Sequence, residues 1–599
     1  MTELISRRDL EFLLYEWLDV ESLTVRPRFA EHSRDTFDAV LRLSADLAGK
    51  YFVTHNKLSD SQEPTMSVDG TVAIVDEVKT ALDAYVASGL LAGEFDEAVG
   101  GMQLPTTVSR ASMALFQAAN AATATYLALT IANANLIAAH GSEEQIARYV
   151  RPMLEGRYFG TMCLSEPQAG SSLADITTRA VRQSDGTYRL TGTKMWISGG
   201  DHDLSENIVH LVLAKTPGGG PGVNSISLFI VPKYLATECV SLPPSRNDVA
   251  LAGLNHKMGM RGVTNALLSF GDGTFSPGGQ AGAVGYLVGE ENRGLSYMFH
   301  MMNEARIGVG FLAAAVGYVG YVKSVEYARI RTQGRPRGLK DPEAQPVALV
   351  EHADVRRMLL SQKAYVEGAL ALVLFCARLV DERASAQTAE TARDAGVLLD
   401  LLTPIAKSWP SQWCLQANDL AIQVHGGYGY TRDYDVEQHY RDNRLNPIHE
   451  GTNGIQGLDL LGRKVTLHDG AGLKLLSSYI ERTARRAQSL GGEAQRWAQQ
   501  LERSWERVLE VTNTLVQQRD SAAALANSSI YLECFGHVVI AWIWLDKVTK
   551  AAGCHGGFYD GKRQAARYFF IYELPKVAAQ LDLLATLDAT TLLMSPEWF

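Results

Sequence analysis

The sequence predicts an α+β protein, mostly α, in which a β domain lies between helical regions. Apolar residues recur at helical spacing over most of the chain, as in the Ala-rich segments 107–119 and 122–139. Between about 158 and 288 the pattern changes to short, β-branched or alternating segments separated by Gly, Asp and Pro. At 599 residues the chain is too long for one hydrophobic core, so several domains are expected.

The composition excludes several classes of protein. Hydrophobic residues make up 46% of the chain and charged residues 20%, which is typical of a globular protein and of neither a disordered nor a fibrous one. A formal net charge of −10, with no basic run, argues against a nucleic-acid partner. Six scattered cysteines, without Cys-x-x-Cys or a His cluster, indicate a reducing compartment and no metal site.

The chain is predicted to be soluble and cytoplasmic, without membrane association. Its N-terminus has no apolar core of signal-peptide length and is too acidic for a transit peptide. The most apolar run, 538–545, is far shorter than the ~20 residues that a membrane span needs.

Helices dominate the first part of the chain. Residues 1–35 are predicted to form an N-terminal arm, and 36–157 an N-terminal helical domain. Near its end, Gly141 is expected to end one helix, while Ser142 and Gln145 form a capping box that begins the next. The apolar residues of the arm fit one short amphipathic helix: Leu10, Phe12, Leu13, Leu14 and Trp17.

A β domain is predicted for 158–288, compact and antiparallel. Its clearest strand patterns are Tyr188–Ile197, Asn207–Ala214, Ser225–Val231 and Ala266–Phe270.

The chain is helical again after the β domain. A helical bundle is predicted for 289–468, with strong helices at about 296–334, 348–384 and 388–425. Pro404, after Thr403, resembles the first residue of a helix with its cap, and Pro410 is expected to bend or restart that helix.

The last segment, 469–599, is predicted to be an additional helical domain that covers the core or a dimer surface. Its helical patterns span 471–489, 492–526, 528–552 and 561–586. The apolar residues Ile540, Trp542, Ile543 and Trp544 are expected to be buried in it.

One stretch, 423–456, combines a glycine-rich turn with a loop carboxylate. Glycines at 426, 427 and 429 allow positive φ and close approach of a flat ligand. Glu450 stands beside Gly451 on a predicted loop before a helix, where an acid can serve as a catalytic base. From the pattern alone, most such glutamates are solvated surface charges.

Two further segments lie in the predicted β domain. Met162-Cys-Leu-Ser-Glu-Pro-Gln-Ala-Gly-Ser171-Ser172 offers backbone amides and hydroxyls to an anionic ligand, although a plain Pro-Gly turn would look the same. Gly192-Thr-Lys-Met-Trp196-Ile197-Ser198-Gly-Gly places an aromatic residue before a hydroxyl and two glycines; Trp196 could instead belong to the sheet core.

The stretch 423–456 contains three further motifs: Gln-Val-His-Gly-Gly-Tyr-Gly-Tyr, Tyr-Arg-Asp and His-Glu-Gly-Thr. In order and spacing, these motifs and the two segments of the β domain resemble those of the acyl-CoA dehydrogenase family, and in particular of its long bacterial branch. The resemblance covers about residues 40–468. It implies the fold of that family: an N-terminal helical domain, a middle antiparallel β domain and a C-terminal four-helix bundle, here followed by the additional helical domain 469–599.

The resemblance implies FAD as the cofactor. It places the backbone near Met162 and Leu164 along the isoalloxazine edge, with the Ser165 hydroxyl on the pyrimidine side. It places Trp196 and Ile197 near the flavin and aims Ser198 at N5.

The resemblance also implies a homodimer or a larger assembly. Arg331, Gln423 and Gly427 would bind the ADP half of the neighbouring subunit's FAD, with Thr452 near it. The sequence differs from the family pattern at two positions of this ADP-binding region. Gln333 stands where relatives usually have Phe, and Gly454 stands where many have a glutamine, so that an adenine contact is lost or replaced.

The resemblance also implies residues that contact the substrate. Ser171 would hold the pantetheine or phosphate arm, and Asn303 and Arg306 would lie beside the acyl-CoA chain. His449 and Gly451 would lie next to the catalytic acid. Asn303 and Ser172 stand where relatives often carry Asp. His449 either packs only or tunes the pKa of the acid.

The activity implied is FAD-dependent α,β-dehydrogenation of an acyl-CoA thioester to the trans-2-enoyl-CoA, as in fatty acid β-oxidation. Glu450 would remove the α-proton, the β-hydride would pass to flavin N5, and electrons would pass to electron-transfer flavoprotein. The alternatives are an acyl-CoA oxidase of the same fold and a non-catalytic acyl-CoA-binding homologue. The acyl group stays open, from fatty acyl to methylthio-acyl.

Overall fold

A computed structural model describes residues 3–235, 245–335, 338, 341 and 343–599. Cys239 lies outside the described residues. The chain forms two compact units: the first contains residues 1–34, 106–114 and 306–599, and the second contains 35–105 and 115–305. The five domain boundaries drawn from the sequence stay predictions.

Helices make up most of the described chain, which confirms the predicted mostly helical fold class. They are α1 Arg7–Glu11, α2 Arg34–Leu47, α3 Asn56–Ser61, α4 Asp76–Ala87, α5 Thr106–Ala119, α6 Ala121–His140, α7 Glu143–Gln145, α8 Arg151–Leu154, α9 Gly294–Ile330, α10 Ala353–Ser385, α11 Ala389–His425, α12 Val436–Asn443, α13 Asn453–Asp459, α14 Ala471–Leu490, α15 Gly492–Val516, α16 Ser521–Leu525, α17 Ser528–Lys550, α18 Gly557–Tyr568, α19 Lys576–Ala585 and α20 Thr590–Leu593.

In the described parts of the chain, the strands form one eight-stranded sheet and two antiparallel pairs of two-residue strands. They are β1 Thr65–Met66, β2 Val72–Ala73, β3 Tyr158–Cys163, β4 Arg179–Arg182, β5 Tyr188–Ser198, β6 Asn207–Lys215, β7 Ile226–Pro232, β8 Tyr234–Leu235, β9 Ser245–Arg246, β10 Val249–Leu254, β11 Asn265–Phe270 and β12 Ala283–Leu287.

The large sheet has the order β10-β11-β5-β12-β7-β6-β3, and β4 pairs with β5 and β6. Most pairs are antiparallel, as predicted, but β3 and β4 each lie parallel to β6. Along the chain, the antiparallel strands β4 and β5 come between β3 and β6, and the chain then runs through β6 in the same direction as through β3. Alternate side chains from these strands form a buried core that includes Leu190, Phe229 and Leu268.

The N-terminal arm is helical and packs within the first unit. Ser6 caps α1, and the helix continues through Trp17 with a wider turn. All five apolar residues predicted to pack are buried. The Trp17 indole N–H donates to Asp546 Oδ2 at 2.8 Å, and the Phe12 ring meets the edge of Phe558. The arm therefore packs against the C-terminal segment.

Three long helices, α9, α10 and α11, form the bundle, and short helices α12 and α13 follow in place of a fourth long one. The prediction that Pro404 begins a helix is wrong, because α11 continues through Pro404 and Pro410. Pro410 has no N–H for the Ala406 carbonyl. That carbonyl lies so close to Gly310 that a Cβ there would be 2.1 Å from the oxygen.

The segment after 468 is helical, as predicted, although the helix expected over 492–526 ends at Val516 and a new one is capped by Asp520. The predicted burial is confirmed: Ile540, Trp542, Ile543 and Trp544 are at most 1% exposed.

Three described helices, α6, α9 and α17, are long and apolar enough to cross a membrane, and 72–83% of their most apolar windows is buried within the protein.

Candidate active site

Glu450 lies on the short loop between α12 and α13, in a strained backbone conformation. Its φ of 52° is in the left-handed region, which a residue with a side chain seldom adopts. Gly451 follows with a φ of 88°. The buried Gln456 donates from Nε2 to the Glu450 carbonyl at 3.1 Å, and a Cβ at Gly451 would lie 2.5 Å from that nitrogen. The glycine therefore allows the hydrogen bond that holds Glu450.

The start of α13 fixes the other end of this loop. The Thr452 side chain is the N-cap of α13 and accepts a hydrogen bond from the Ile455 N–H at 3.3 Å. Its hydroxyl thus has a local structural role, and the predicted contact with the ADP half stays a prediction.

The Glu450 carboxyl group is surrounded by protein, although part of the residue remains accessible. Burial raises the pKa of Glu450 to about 7, against the opposing effects of the charges of Arg306 and Lys407. A carboxyl group with a pKa near the working pH can both accept and release a proton. Among the described residues, Glu450 forms no ion pair.

Lys407, which the sequence analysis did not select, contributes a charge to this site. It is fully buried on α11, and its Nζ has no hydrogen-bond partner among the described residues. Burial lowers the pKa of Lys407 to about 7; the charge of Glu450 raises it and that of Arg306 lowers it. A charged residue in the apolar run around Leu402 and Ile405 was the signal that could have identified it.

His449 is held by a chain of buried amides. Its Nε2 lies 3.0 Å from Asn446 Oδ1, and Asn446 donates to Asn443, which donates to Asn418. Because Asn446 Oδ1 accepts, the ring proton is on Nε2. Burial lowers the pKa of His449 to about 3, with a further contribution from Lys407. His449 is therefore neutral near pH 7.

Arg306 lies near Glu450 but is engaged elsewhere. Its guanidinium donates to Asp459 Oδ2 at 3.0 Å, and both side chains are largely buried. Its predicted contact with the acyl chain stays a prediction. Asn303, on the preceding turn of α9, has a buried Oδ1 without a hydrogen-bond partner in the described chain.

In the second unit, the two segments predicted to line the flavin are bonded to each other. The Met195 N–H donates to the Ser165 carbonyl at 3.0 Å, and Lys194 Nζ donates to the Leu164 carbonyl at 2.9 Å. Lys194 also pairs with Glu166 at 3.0 Å, with both side chains buried. The structure thus brings Leu164 and Ser165 next to 194–198.

Trp196 is exposed by a β-bulge. Met195 and Trp196 together oppose one residue of β11, and Trp196 has a φ of 66°. Its side chain is 59% exposed, so it is not the sheet-core aromatic that the alternative interpretation required. Next to it Ile197 is buried, and Ser198 Oγ accepts from Asn265 Nδ2 at 3.2 Å. Bulges are common beside active sites.

The remaining residues of these two segments differ in exposure. Met162 is half-buried on β3, whereas Ser171 is exposed on the turn that follows it. Their predicted contacts with cofactor and substrate stay predictions.

The residues predicted to bind the ADP half form an exposed face of the first unit. Arg331 follows the last residue of α9, and its guanidinium lies 5.8 Å from the centre of the Tyr428 ring. Gln423 and Gly427, at the end of α11, are also exposed. Tyr430 is 90% exposed beside them. The structure therefore places these predicted residues on a common, unoccluded part of the surface of this unit.

Family profiles match most of the chain. They are described as acyl-CoA dehydrogenase N-terminal domain over 71–157, middle domain over 161–272 and C-terminal domain over 292–465. The last segment, 476–595, matches a profile described as acetyl-CoA dehydrogenase C-terminal like.

Curated proteins of similar length match nearly the whole chain. A 3-methylmercaptopropionyl-CoA dehydrogenase of Ruegeria pomeroyi is 35% identical over 540 residues, which cover 89% of each chain. The broad-specificity linear acyl-CoA dehydrogenase FadE5 of Mycobacterium tuberculosis is 31% identical over 97% of each chain.

Among solved structures, an acyl-CoA dehydrogenase of Bacillus anthracis complexed with FAD shares the fold. Its TM-score is 0.73 at 20% identity, and the match covers 98% of this chain and 93% of that one.

Proposed function

Because the chain belongs to the acyl-CoA dehydrogenase family, we propose that it desaturates an acyl-CoA thioester between Cα and Cβ, with Glu450 as the base. The chain is a flavin-dependent oxidoreductase, and its cofactor is FAD. The observation that carries the proposal is Glu450 itself. It forms no ion pair among the described residues, burial raises the pKa of its carboxyl group, and Gln456 holds its backbone in a strained conformation.

The residues of the second unit fit a flavin. The bulge in β5 leaves Trp196 exposed, two residues before Ser198, and the preceding Met195 N–H donates to the Ser165 carbonyl. An exposed aromatic ring in a strand that also carries a serine hydroxyl suits a flat heterocycle with polar edges. When bound, FAD supplies the acceptor for the hydride that leaves Cβ of the substrate.

The chemical work of the chain is proton abstraction. The bond between Cα and hydrogen breaks, and the proton moves to a carboxylate oxygen of Glu450. The raised pKa makes Glu450 a stronger base than a solvated glutamate, which suits the weakly acidic α-carbon of a thioester. The pKa of His449 is about 3, so its ring is a much weaker base than Glu450 and does not compete for this proton.

The finer parts of the proposal are the electron acceptor, the assembly and the acyl group. We propose that electrons leave to electron-transfer flavoprotein and that Arg331, Gln423 and Gly427 meet the FAD of a neighbouring subunit. The exposure of these three residues supports that arrangement. The names of the two curated relatives describe unbranched acyl groups, which supports a linear acyl-CoA as the substrate.

The test is anaerobic titration of the purified FAD-loaded protein with acyl-CoA thioesters, from short to long and including methylthio-acyl ones. At least one linear thioester is expected to bleach the visible absorbance of the flavin. If every thioester leaves the flavin oxidised while dithionite reduces it, the proposal fails. Rapid reoxidation of the reduced protein by air would favour the oxidase alternative over electron-transfer flavoprotein.

A further inference from the structure

The loop that carries Glu450, residues 444–452, depends on its neighbours for its conformation. Glu450 has a φ of 52°, which a residue with a side chain keeps only where the surrounding structure fixes it. The Asn453 N–H donates to the Pro447 carbonyl at 3.2 Å, and Gln456 holds the Glu450 carbonyl. Both donors belong to α13, so an element that fixes α13 also fixes the Glu450 loop.

Helix α17, in the last segment of the chain, packs directly on α13. A Cβ at Gly457 would lie 2.6 Å from the Ser528 carbonyl oxygen, so the two backbones approach too closely for a side chain there. A Cβ at Gly454 would lie 3.8 Å from Ser529 Oγ, an ordinary van der Waals distance. The first residues of α17 therefore lie against the first turns of α13.

Two consecutive side-chain hydrogen bonds also connect α17 to α13, by way of α11. Glu533 of α17 accepts at Oε2 from Gln412 Nε2 of α11 at 2.8 Å. The oxygen of the same amide, Gln412 Oε1, accepts from Asn453 Nδ2 at 3.4 Å. Asn453 is the first residue of α13, directly after the Glu450 loop. A carboxylate of the last segment is thus connected to the end of that loop.

Glu533 determines the orientation of the Gln412 amide. An ionised carboxylate only accepts hydrogen bonds, so it requires the nitrogen of Gln412 and turns the oxygen toward Asn453. Its other oxygen, Oε1, accepts from Gln580 Nε2 of α19 at 2.8 Å, so both carboxylate oxygens are engaged by amides. The donors and acceptors along this connection are therefore ordered from the last segment toward the loop.

The packing of α11 on α17 keeps Gln412 and Glu533 at a fixed separation. One turn before Gln412, the buried Trp409 lies against Gly536, where a Cβ would be 2.7 Å from Trp409 Cδ1. The Trp409 indole N–H donates to His537 Nδ1 at 3.3 Å. Interiors packed this closely transmit a displacement, so a shift of α17 would reach α13.

We infer that the last segment of the chain positions the catalytic loop, and that Gln412 and Glu533 are the positioning residues that connect it to α13. The inference deepens the proposed function and rests on Glu450 being the base. Neither positioning residue gives or takes a proton in the reaction. They hold Asn453, and with it the Glu450 loop, in the conformation from which the carboxylate reaches the α-proton.

The test compares Gln412→Leu and Glu533→Leu with Gln416→Leu as a matched control. Gln416 lies one turn further along α11, is exposed, and donates to Asp419 of the same helix at 3.1 Å. Hydrogen exchange of the backbone amides in 444–457 is measured by mass spectrometry on the FAD-loaded protein. Exchange is expected to be about three- to tenfold faster in Gln412→Leu and Glu533→Leu, because the loop opens more often once the connection is lost. Gln416→Leu is expected to keep the wild-type exchange.

Stopped-flow reduction of the flavin by a saturating thioester is the second measurement. Gln412→Leu and Glu533→Leu are expected to be about tenfold slower than the wild type, because a displaced base loses its alignment with the α-proton. The double variant is expected to be no slower than Gln412→Leu alone, because Glu533 acts through Gln412. Residues that only stabilised the fold would lower the unfolding temperature and leave the rate of the folded protein unchanged.

Wild-type exchange in 444–457 of both Gln412→Leu and Glu533→Leu would overturn the inference, as would effects on the rate that add up in the double variant. If Gln412→Leu fails to fold, Gln412→Met, which also lacks the amide, replaces it, and Glu533→Leu tests the other end of the connection. A wild-type protein whose flavin no thioester reduces would instead overturn the proposed function, and the exchange measurement would still test the positioning of the loop.

Discussion

Two buried lysines in this protein differ in whether they pair with a glutamate. In the second unit, Lys194 contacts Glu166 directly at 3.0 Å, and the carboxylate also accepts from the N–H and hydroxyl groups of Thr177 and Thr178. Burial alone would raise the pKa of Glu166, but Lys194 and these hydrogen bonds hold it well below its usual range.

In the first unit, neither Lys407 nor Glu450 forms an ion pair among the described residues. Lys407 and Glu450 affect each other's pKa, yet Lys407 Nζ has no hydrogen-bond partner among the described residues, and the pKa of Glu450 is raised to about 7. A satisfied buried carboxylate stays ionised and holds structure in place. A carboxyl group without an ion pair, whose pKa burial raises, keeps its capacity to bind a proton, which is what a base needs.

The largest expected effect breaks the satisfied pair. Glu166→Gln leaves Lys194 buried without its counter-charge and should lower the free energy of unfolding by about 3–5 kcal/mol, measured by denaturant titration. The matched control is Glu155→Gln, which breaks an exposed pair with Arg157 and should cost less than about 0.5 kcal/mol. Equal effects of the two substitutions would show that burial does not distinguish them.

The free energy of unfolding is expected to depend on pH through Glu450, which tests its difference from Glu166. Its folded pKa of about 7 lies above the ordinary 4.5, so the folded state binds more protons and stability is lost as pH rises through that window. In Glu450→Gln this loss is absent. The variant's stability relative to the wild type should therefore increase by up to about 2–3 kcal/mol between those pH values.

The contribution of His449 to stability changes with pH in the opposite direction, because its folded pKa of about 3 is lowered. The wild type and Glu450→Gln share this contribution, so it cancels in the difference between their stabilities. A stability difference that is independent of pH would contradict the raised pKa of Glu450.

A smaller effect is expected from the loop that holds Glu450. Gly451→Ala forces a side chain into positive φ and against Gln456 Nε2, and should cost about 1–2 kcal/mol by thermal unfolding while slowing flavin reduction. Gly308→Ala, in a helix interior with open space around it, should gain about 0.5–1 kcal/mol. A Gly451→Ala protein as stable as the wild type would show that the strain has no role.

Local patterns predicted much of the fold. The capping box of Ser142 and Gln145 is present, and Gly141 ends the preceding helix. Both depend on residues only a few positions apart, which a sequence displays directly. The strands at 188–198 and 226–232 were likewise visible from alternation and flanking turns.

Long-range pairing is what the sequence did not show. Lys194 and Glu166 are 28 positions apart, and Lys407 and Glu450, which affect each other's pKa, lie on different elements, α11 and the loop before α13. The bulge at Trp196 and the parallel pairing of β3 with β6 depend on register between strands. Glu450 was identified through its motif and a family resemblance, whereas its hydrogen bond with Gln456 and the buried charge of Lys407 required the structure.

The most direct test of Glu450 as the base is stopped-flow reduction of the flavin in Glu450→Gln, with the thioester that reduces the wild type best. The variant keeps the size of the side chain and much of its hydrogen bonding but cannot accept the α-proton. It is expected to fold, to bind FAD and acyl-CoA, and to reduce its flavin at least about 10²-fold more slowly than the wild type. Flavin reduction at the wild-type rate would contradict the assignment and place the base elsewhere.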